Sequence, residues 1–134
     1  MLVIDDDEVV TQTFRRMLQL EGFDVRTVTN AADGLEQVSE RRPDAILLDL
    51  RMPLIDGLEF LRRLRSRESE RPTPVAIVTG DYLLDDTVIQ VAQSLNAVIR
   101  FKPMWLEDLV LVVQELAATS VVRRDEQLTA SATA

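Results

Sequence analysis

Four short, largely apolar runs in this sequence end in residues able to do chemistry. Leu2-Val3-Ile4 runs into Asp5-Asp6, Ala45-Ile46-Leu47-Leu48 into Asp49, Val75-Ala76-Ile77-Val78 into Thr79, and the run from Ala97 to Phe101 into Lys102. Carboxylates gathered in one place repel: two unit charges about 4 Å apart, at an effective dielectric near 20, cost roughly 4 kcal/mol. Such a group must take up a proton, hold a cation, or both. The chain has neither His nor Cys, so the donors are oxygens and the cation a hard one. Few carboxylates with open positions favour Mg2+ over calcium. Lys102 is the only lysine among 15 basic residues, the other 14 being arginines. Its compact ammonium on a flexible stem suits a point contact with a phosphate-like anion, which a guanidinium fork would meet differently. The competing reading makes Asp5, Asp6 and Asp7 helix-capping acids and Asp49 a loop acid. That explains one cluster, but not why four polar ends should fall at equivalent places.

The elements that must position these residues alternate five times. Val10, Phe14, Met17 and Leu18 follow the first run at helical spacing, with Gly22 as a helix-ending residue. A strand is expected around Val25 to Val28, then a helix capped by Asn30 with Ala32, Leu35 and Val38 facing inward. The unalternated run Ala45–Leu48 reads as a strand buried on both faces. Leu58, Leu61 and Leu64, with Phe60 beside them, mark the third helix, which Pro72-Thr73-Pro74 closes. Val75–Val78 form the fourth strand, and Val88, Val91, Ala92 and Leu95 the fourth helical stripe. Ala97–Phe101 form the fifth strand, and Leu106, Leu109, Val110, Val113 and Leu116 the last helical face. Strands alternating with helices imply an α/β, doubly wound (βα)5 domain with a five-stranded parallel sheet. If the order is the flavodoxin-like 2-1-3-4-5, strands one and three are neighbours. Asp5, Asp6 and Asp49 then meet at the carboxyl edge, where open α/β sheets bind ligands.

At 134 residues the chain suits one domain. Apolar periodicity fades near Thr119, so residues 1–118 are expected to form the domain and 119–134 a flexible tail or the start of a linker. A formal charge of −8, from 23 acids against 15 bases, argues against direct nucleic-acid binding, because the mean field repels phosphate backbones. Apolar runs of four or five residues are too short to cross a membrane. With no signal-peptide pattern and no cysteine, a cytoplasmic setting is expected. Chemistry that needs imidazole must borrow it from a partner.

Together the motifs Val3-Ile4-Asp5-Asp6, Leu47-Leu48-Asp49-Leu50-Arg51-Met52-Pro53 through Asp56-Gly57, Val78-Thr79-Gly80 and Lys102-Pro103 resemble those of the receiver domain of two-component response regulators. The resemblance spans about residues 1 to 118. It implies that Asp49 is the phosphoacceptor, with Mg2+ held by Asp5, Asp6, Asp49 and the backbone carbonyl of Arg51. It further implies that Thr79 bonds the phosphoryl group, that Lys102 pairs with one of its oxygens, that Lys102-Pro103 is cis, and that Gly80 leaves room for the group to arrive. The implied donor is a phosphohistidine on a histidine kinase or histidine phosphotransfer protein. The implied output is a downstream protein or a fused output domain, with the fourth helix, fifth strand and fifth helix as a partner or homodimer face. The chain would then act catalytically only on itself.

Ile99 stands where the family usually has an aromatic residue, three before the lysine; Phe101 and Tyr82 are possible substitutes. This departure is what a pseudo-receiver, a binding module working without phosphorylation, would show. A metal-dependent phosphatase is the enzymatic rival, and it lacks a second positioned acid–base group. Arg51 and Asp81, two residues after Asp49 and Thr79 respectively, are placed to pair over the acceptor and restrict attacking water. Arg62, Arg63, Arg65, Arg67 and Arg71 read as a solvated basic face.

Overall fold

Asp7 turns the chain from its first strand into its first helix. Its carboxylate accepts from the Val9 and Val10 N–H groups at 2.9 and 3.3 Å, capping α1 (Glu8–Leu20) just after β1 (Leu2–Ile4). Gly22, at φ +90°, ends α1 in a conformation that side chains resist. Phe23 N–H donates to Leu18 O and Gly22 N–H to Gln19 O, both at 3.0 Å, and so satisfy the last carbonyls. Asn30, Asp56 and Asp85 cap α2 (Ala31–Glu40), α3 (Gly57–Arg67) and α4 (Asp86–Ser94) in the same way. Between them run β2 (Arg26–Val28), β3 (Ile46–Leu48), β4 (Val75–Thr79) and β5 (Ala97–Phe101), and residues 106–118 form a fifth helix, α5. The computed structural model of the chain describes residues 1–68 and 72–118.

All strand pairs are parallel, and the order is β2-β1-β3-β4-β5, as expected. Alternate strand residues feed two cores. Leu2, Ile4, Ile46, Leu48, Val75 and Ile77 pack with Leu35, Phe60, Leu61 and Leu64 on the α2–α4 side. Val3, Leu47, Ala76 and Val78 pack with Phe14, Leu18, Leu109, Val113 and Leu116 on the α1 and α5 side. This is why β3 is an unbroken apolar run: both of its faces are covered.

Three local expectations need correction. Ala32 is exposed, while Ala31, Gly34 and Leu35 are buried, because the Asn30 cap sets the phase of α2 one residue earlier. β2 begins at Arg26, with Val25 buried just ahead of it. Arg65 does not belong to a solvated face: only 12% exposed, it donates to Leu95 O and Thr73 O, each at 2.8 Å, tying α3 to the loops at the amino edge of the sheet. Arg62 and Arg63 do face solvent, both paired with Glu59. Arg71 and the tail expected over 119–134 lie outside the described residues. No helix among the described residues is long and apolar enough to cross a membrane.

Candidate functional site

Strand register builds the site. Ile4 is the partner of Leu48, so the residues that follow each, Asp5 and Asp49, leave adjacent strands side by side. Asp49 N–H donates to Ile4 O at 2.8 Å and Asp5 N–H to Val28 O at 3.3 Å, continuing the ladder to the edge where the side chains diverge from the sheet. On the other side, Thr79 pairs with Phe101, and Lys102 N–H donates to Thr79 O at 2.8 Å. The Lys102–Pro103 peptide bond is cis. The loop after Asp49 is held down by Gly57, whose N–H donates to Leu50 O at 2.9 Å. A Cβ on Gly57 would overlap the Asp49 carbonyl oxygen and stand 2.9 Å from Leu50 Cα. Only glycine allows α3 to start this close to the acidic residue.

Carboxylate oxygens of Asp5, Asp6 and Asp49 all lie within 4.8 Å of one another. Asp5 and Asp49 are buried, while Asp6 is exposed at the mouth. Lys102 Nζ lies 2.7 Å from Asp5 Oδ2 and 3.6 Å from Asp49 Oδ1. Burial, with the charges of Asp5 and Asp6, pushes the Asp49 carboxyl from 3.8 up to about 6, although Lys102 works against the shift. Burial by itself lowers the Lys102 ammonium, but the hydrogen bond and charge of Asp5, together with Asp49, outweigh it and hold the group above its ordinary value. Three carboxylates against one ammonium leave two uncompensated negative charges when all are ionised, which one divalent cation would cancel. The oxygen-only donor set therefore fits a hard divalent cation such as Mg2+.

The buried Thr79 hydroxyl accepts from Asp81 N–H at 3.1 Å. Gly80 is open: an added Cβ would meet nothing within 4 Å. Arg51 and Asp81 do pair, at 2.6 Å, and the Arg51 guanidinium is the first cause holding the Asp81 carboxyl below its ordinary value. Ile99 packs partly buried against the α2–α4 core, and Tyr82 stacks on Phe101 with ring centres 5.6 Å apart. Asp5, Asp6, Asp49 and Lys102 thus come together at the carboxyl edge of the sheet, with Thr79, Gly80, Arg51 and Asp81 at or beside it. Asp7, weighed as a capping acid, is indeed a cap, and its N–H donates to Asp5 Oδ1 at 2.9 Å, linking helix cap and pocket. Two features escaped the sequence reading. One is the close approach at Gly57, signalled only by the Asp-Gly pair. The other is Leu54, fully exposed at φ +68° in the same loop, with no signal beyond its place after Pro53.

Residues 1–114 match the sequence profile of the response regulator receiver domain. The transcriptional regulatory protein PrrA of Mycobacterium tuberculosis is 36% identical over 115 residues, which cover 86% of this chain and 48% of that protein. The receiver domain of NtrX from Brucella abortus superposes with a TM-score of 0.75 at 27% identity, over 88% of this chain and 98% of that one. The chemotaxis protein CheY4 of Vibrio cholerae gives a TM-score of 0.78 at 26% identity, over 86% and 95%. The chain spans about half the length of curated relatives such as PrrA.

Proposed function

This chain belongs to the response regulator receiver domain family of two-component systems, and we propose that it works by accepting a phosphoryl group on Asp49. The observation that carries this reading is the convergence of Asp5, Asp6, Asp49 and Lys102 at one edge of the sheet. Asp49 is buried enough to be shielded from bulk water, yet it shares its pocket with an ammonium able to neutralise incoming charge.

In the proposed transfer an Asp49 carboxylate oxygen attacks phosphorus in line with the leaving group. The P–N bond of a donor phosphohistidine breaks, its electron pair stays on the imidazole nitrogen, and an acyl phosphate forms on Asp49. Lys102 moves its contact from the carboxylates to a phosphoryl oxygen, and the Thr79 hydroxyl donates to another. Asp5, Asp6, Asp49 and the main-chain carbonyl of Arg51 would hold Mg2+, which when bound supplies charge neutralisation across the transferring oxygens. Because the chain has no histidine, the donor is a histidine kinase or a histidine phosphotransfer protein. Hydrolysis of the acyl phosphate resets the domain, so its catalysis is confined to its own modification. The Arg51–Asp81 pair bridges the loops after β3 and β4 beside the acceptor, and this supports a role in limiting water attack.

Output would pass to a downstream protein or a fused domain, in keeping with PrrA, of which the matched segment is only about half. Self-association would use the α4, β5 and α5 face, where Val98, Phe101 and Leu111 are exposed. The setting is the cytoplasm, where such donors act.

The test is intact mass after incubation with acetyl phosphate, with and without Mg2+, beside Asp49→Asn. One phosphoryl group gained by the wild-type chain only with Mg2+, and not by the variant, is the expected result. No gain by a folded wild-type chain would leave the pseudo-receiver as the better reading.

A further inference from the structure

At the amino edge of the sheet, the end away from Asp49, lies a cavity of about 380 Å³, within the size range of small-molecule sites. Part of its wall is apolar: Phe23 from the loop after α1, Ala45 just ahead of β3, and Val113 and Ala117 from α5. The rest is charged, with the guanidiniums of Arg26, Arg41 and Arg42 against the carboxylates of Asp24 and Asp44, an excess of one positive charge. Arg41 pairs with Asp24 at 3.3 Å. Arg42 pairs with Glu68 at 3.3 Å, a carboxylate that Arg65 shares at 2.7 Å. Arg26 differs, because its bonds all go to neutral oxygens: Nη1 donates to Gln37 O at 3.2 Å and Gln37 Oε1 at 2.9 Å, and Nη2 to Arg41 O at 2.6 Å. Its Nε is the one buried side-chain polar atom without a hydrogen-bond partner among the described residues. A guanidinium cannot escape by losing its proton. Partly buried and facing no carboxylate of its own, it carries a desolvation cost that an anion would offset.

We propose that this cavity is a binding site for a small organic acid, a single carboxylate carried on a compact apolar body. The carboxylate meets Arg26, and the apolar body lies against Phe23, Val113 and Ala117. Guanidinium and carboxylate are both planar, and the bonds Arg26 already makes leave donors over for a charged acceptor. Nε lies under the cavity surface, so the side chain turns slightly to present it. The charge of the ligand follows from the wall. An excess of one positive charge suits a monoanion, whereas Asp24 and Asp44 in the same cavity repel a dianion such as a phosphate monoester. An uncharged analogue would leave Arg26 as it stands. The occupant bridges α5 to the loops flanking β2, at the far end of the sheet from the acidic pocket, and the inference is independent of the acceptor reading.

The test is amide NMR of the full chain, titrated in chelator with 3-phenylpropionate, its uncharged amide 3-phenylpropionamide, and phenyl phosphate. The Met1 amino group also lines the cavity, and burial holds its ammonium below the ordinary value, so work at about pH 8.5 leaves it mostly neutral. The acid should give saturable shifts centred on the amides of Phe23, Arg26, Ala45 and Ala117. The amide and phenyl phosphate should each bind at least about tenfold more weakly. Arg26→Met keeps an apolar stem without the charge and should weaken the acid at least about tenfold. Because Arg26 also anchors Gln37 and Arg41, a second variant leaves it untouched: Ala117→Trp, at an exposed helical position, fills the cavity from its α5 wall and should weaken the acid as much. Absence of saturable shifts at these amides overturns the site. So does undiminished binding by folded Ala117→Trp, or an amide that binds as tightly as the acid. Phenyl phosphate binding more tightly than the acid overturns the assignment to a monoanion.

Discussion

At neutral pH the metal-free pocket works against the fold, and Asp49→Asn should relieve it. Asp49 is 7% exposed, and burial plus the neighbouring carboxylates raise its carboxyl from 3.8 to about 6. At about 1.36 kcal/mol per pH unit, the ionised side chain is disfavoured in the folded chain by roughly 3 kcal/mol relative to the unfolded one. The sign follows from proton binding. The folded chain holds this proton more tightly, so the group's contribution to stability is complete below about pH 3.8, falls as pH climbs, and is lost once pH passes about 6. Asparagine has nearly the same shape and no charge. In chelator at pH 8, Asp49→Asn should therefore unfold with a free energy about 1 to 3 kcal/mol above wild type, and this gap should close near pH 4. Urea titrations followed by circular dichroism at the two pH values measure it, because contributions common to both chains cancel. Millimolar Mg2+ should narrow the gap at pH 8 by stabilising the wild-type chain, which alone keeps all three carboxylates. A variant no more stable than wild type at pH 8, or a gap that ignores pH, would refute the electrostatic reasoning.

Three further outcomes are expected. Lys102→Met should lower the stability of the metal-free chain, because Asp5 loses a partner 2.7 Å away. The same variant should bind Mg2+ at least about tenfold more tightly, since that cation no longer competes for the carboxylates, and it should accept phosphoryl groups poorly; calorimetry and mass spectrometry read the two effects. Gly57→Ala forces a Cβ into the backbone at Asp49 and Leu50; urea titration should show a loss of about 1 to 3 kcal/mol, with Mg2+ affinity falling as the carboxylate shifts. Arg51 is largely solvent-facing and Asp81 partly so, so removing both should change the phosphorylated lifetime by only about two- to fivefold, more at low salt than at high. An unchanged lifetime at every salt concentration would sink the water-restricting role.

Much of this protein was legible from the sequence because the rules involved are local. Apolar runs of three to five residues and stripes at helical spacing depend only on near neighbours. So does capping, and Asp7, Asn30 and Gly22 each act within one turn. The same locality marked Asp5, Asp49, Thr79 and Lys102 as strand-end residues, and so named the candidate chemistry. The phase of α2 was misread, since an alanine at 31 or 32 satisfies the same spacing and only contact with the sheet chooses between them. Arg65 was misread because its partners, Leu95 and Thr73, come together only when helix and loops fold onto one edge.

Tertiary structure alone decided how those residues act together. Lys102 and Asp5 are 97 positions apart, and their 2.7 Å contact exists because the sheet order places β1 and β3 beside each other with β4 and β5 following. The raised Asp49 carboxyl likewise belongs to no sequence motif; it is the product of burial and of charges brought in from the first strand. The Tyr82–Phe101 stack depends on a turn folding back over a strand that comes nearly twenty residues later. Residue types and spacing set which groups can meet. Close packing in a low-dielectric edge sets their distances, and with them the energies.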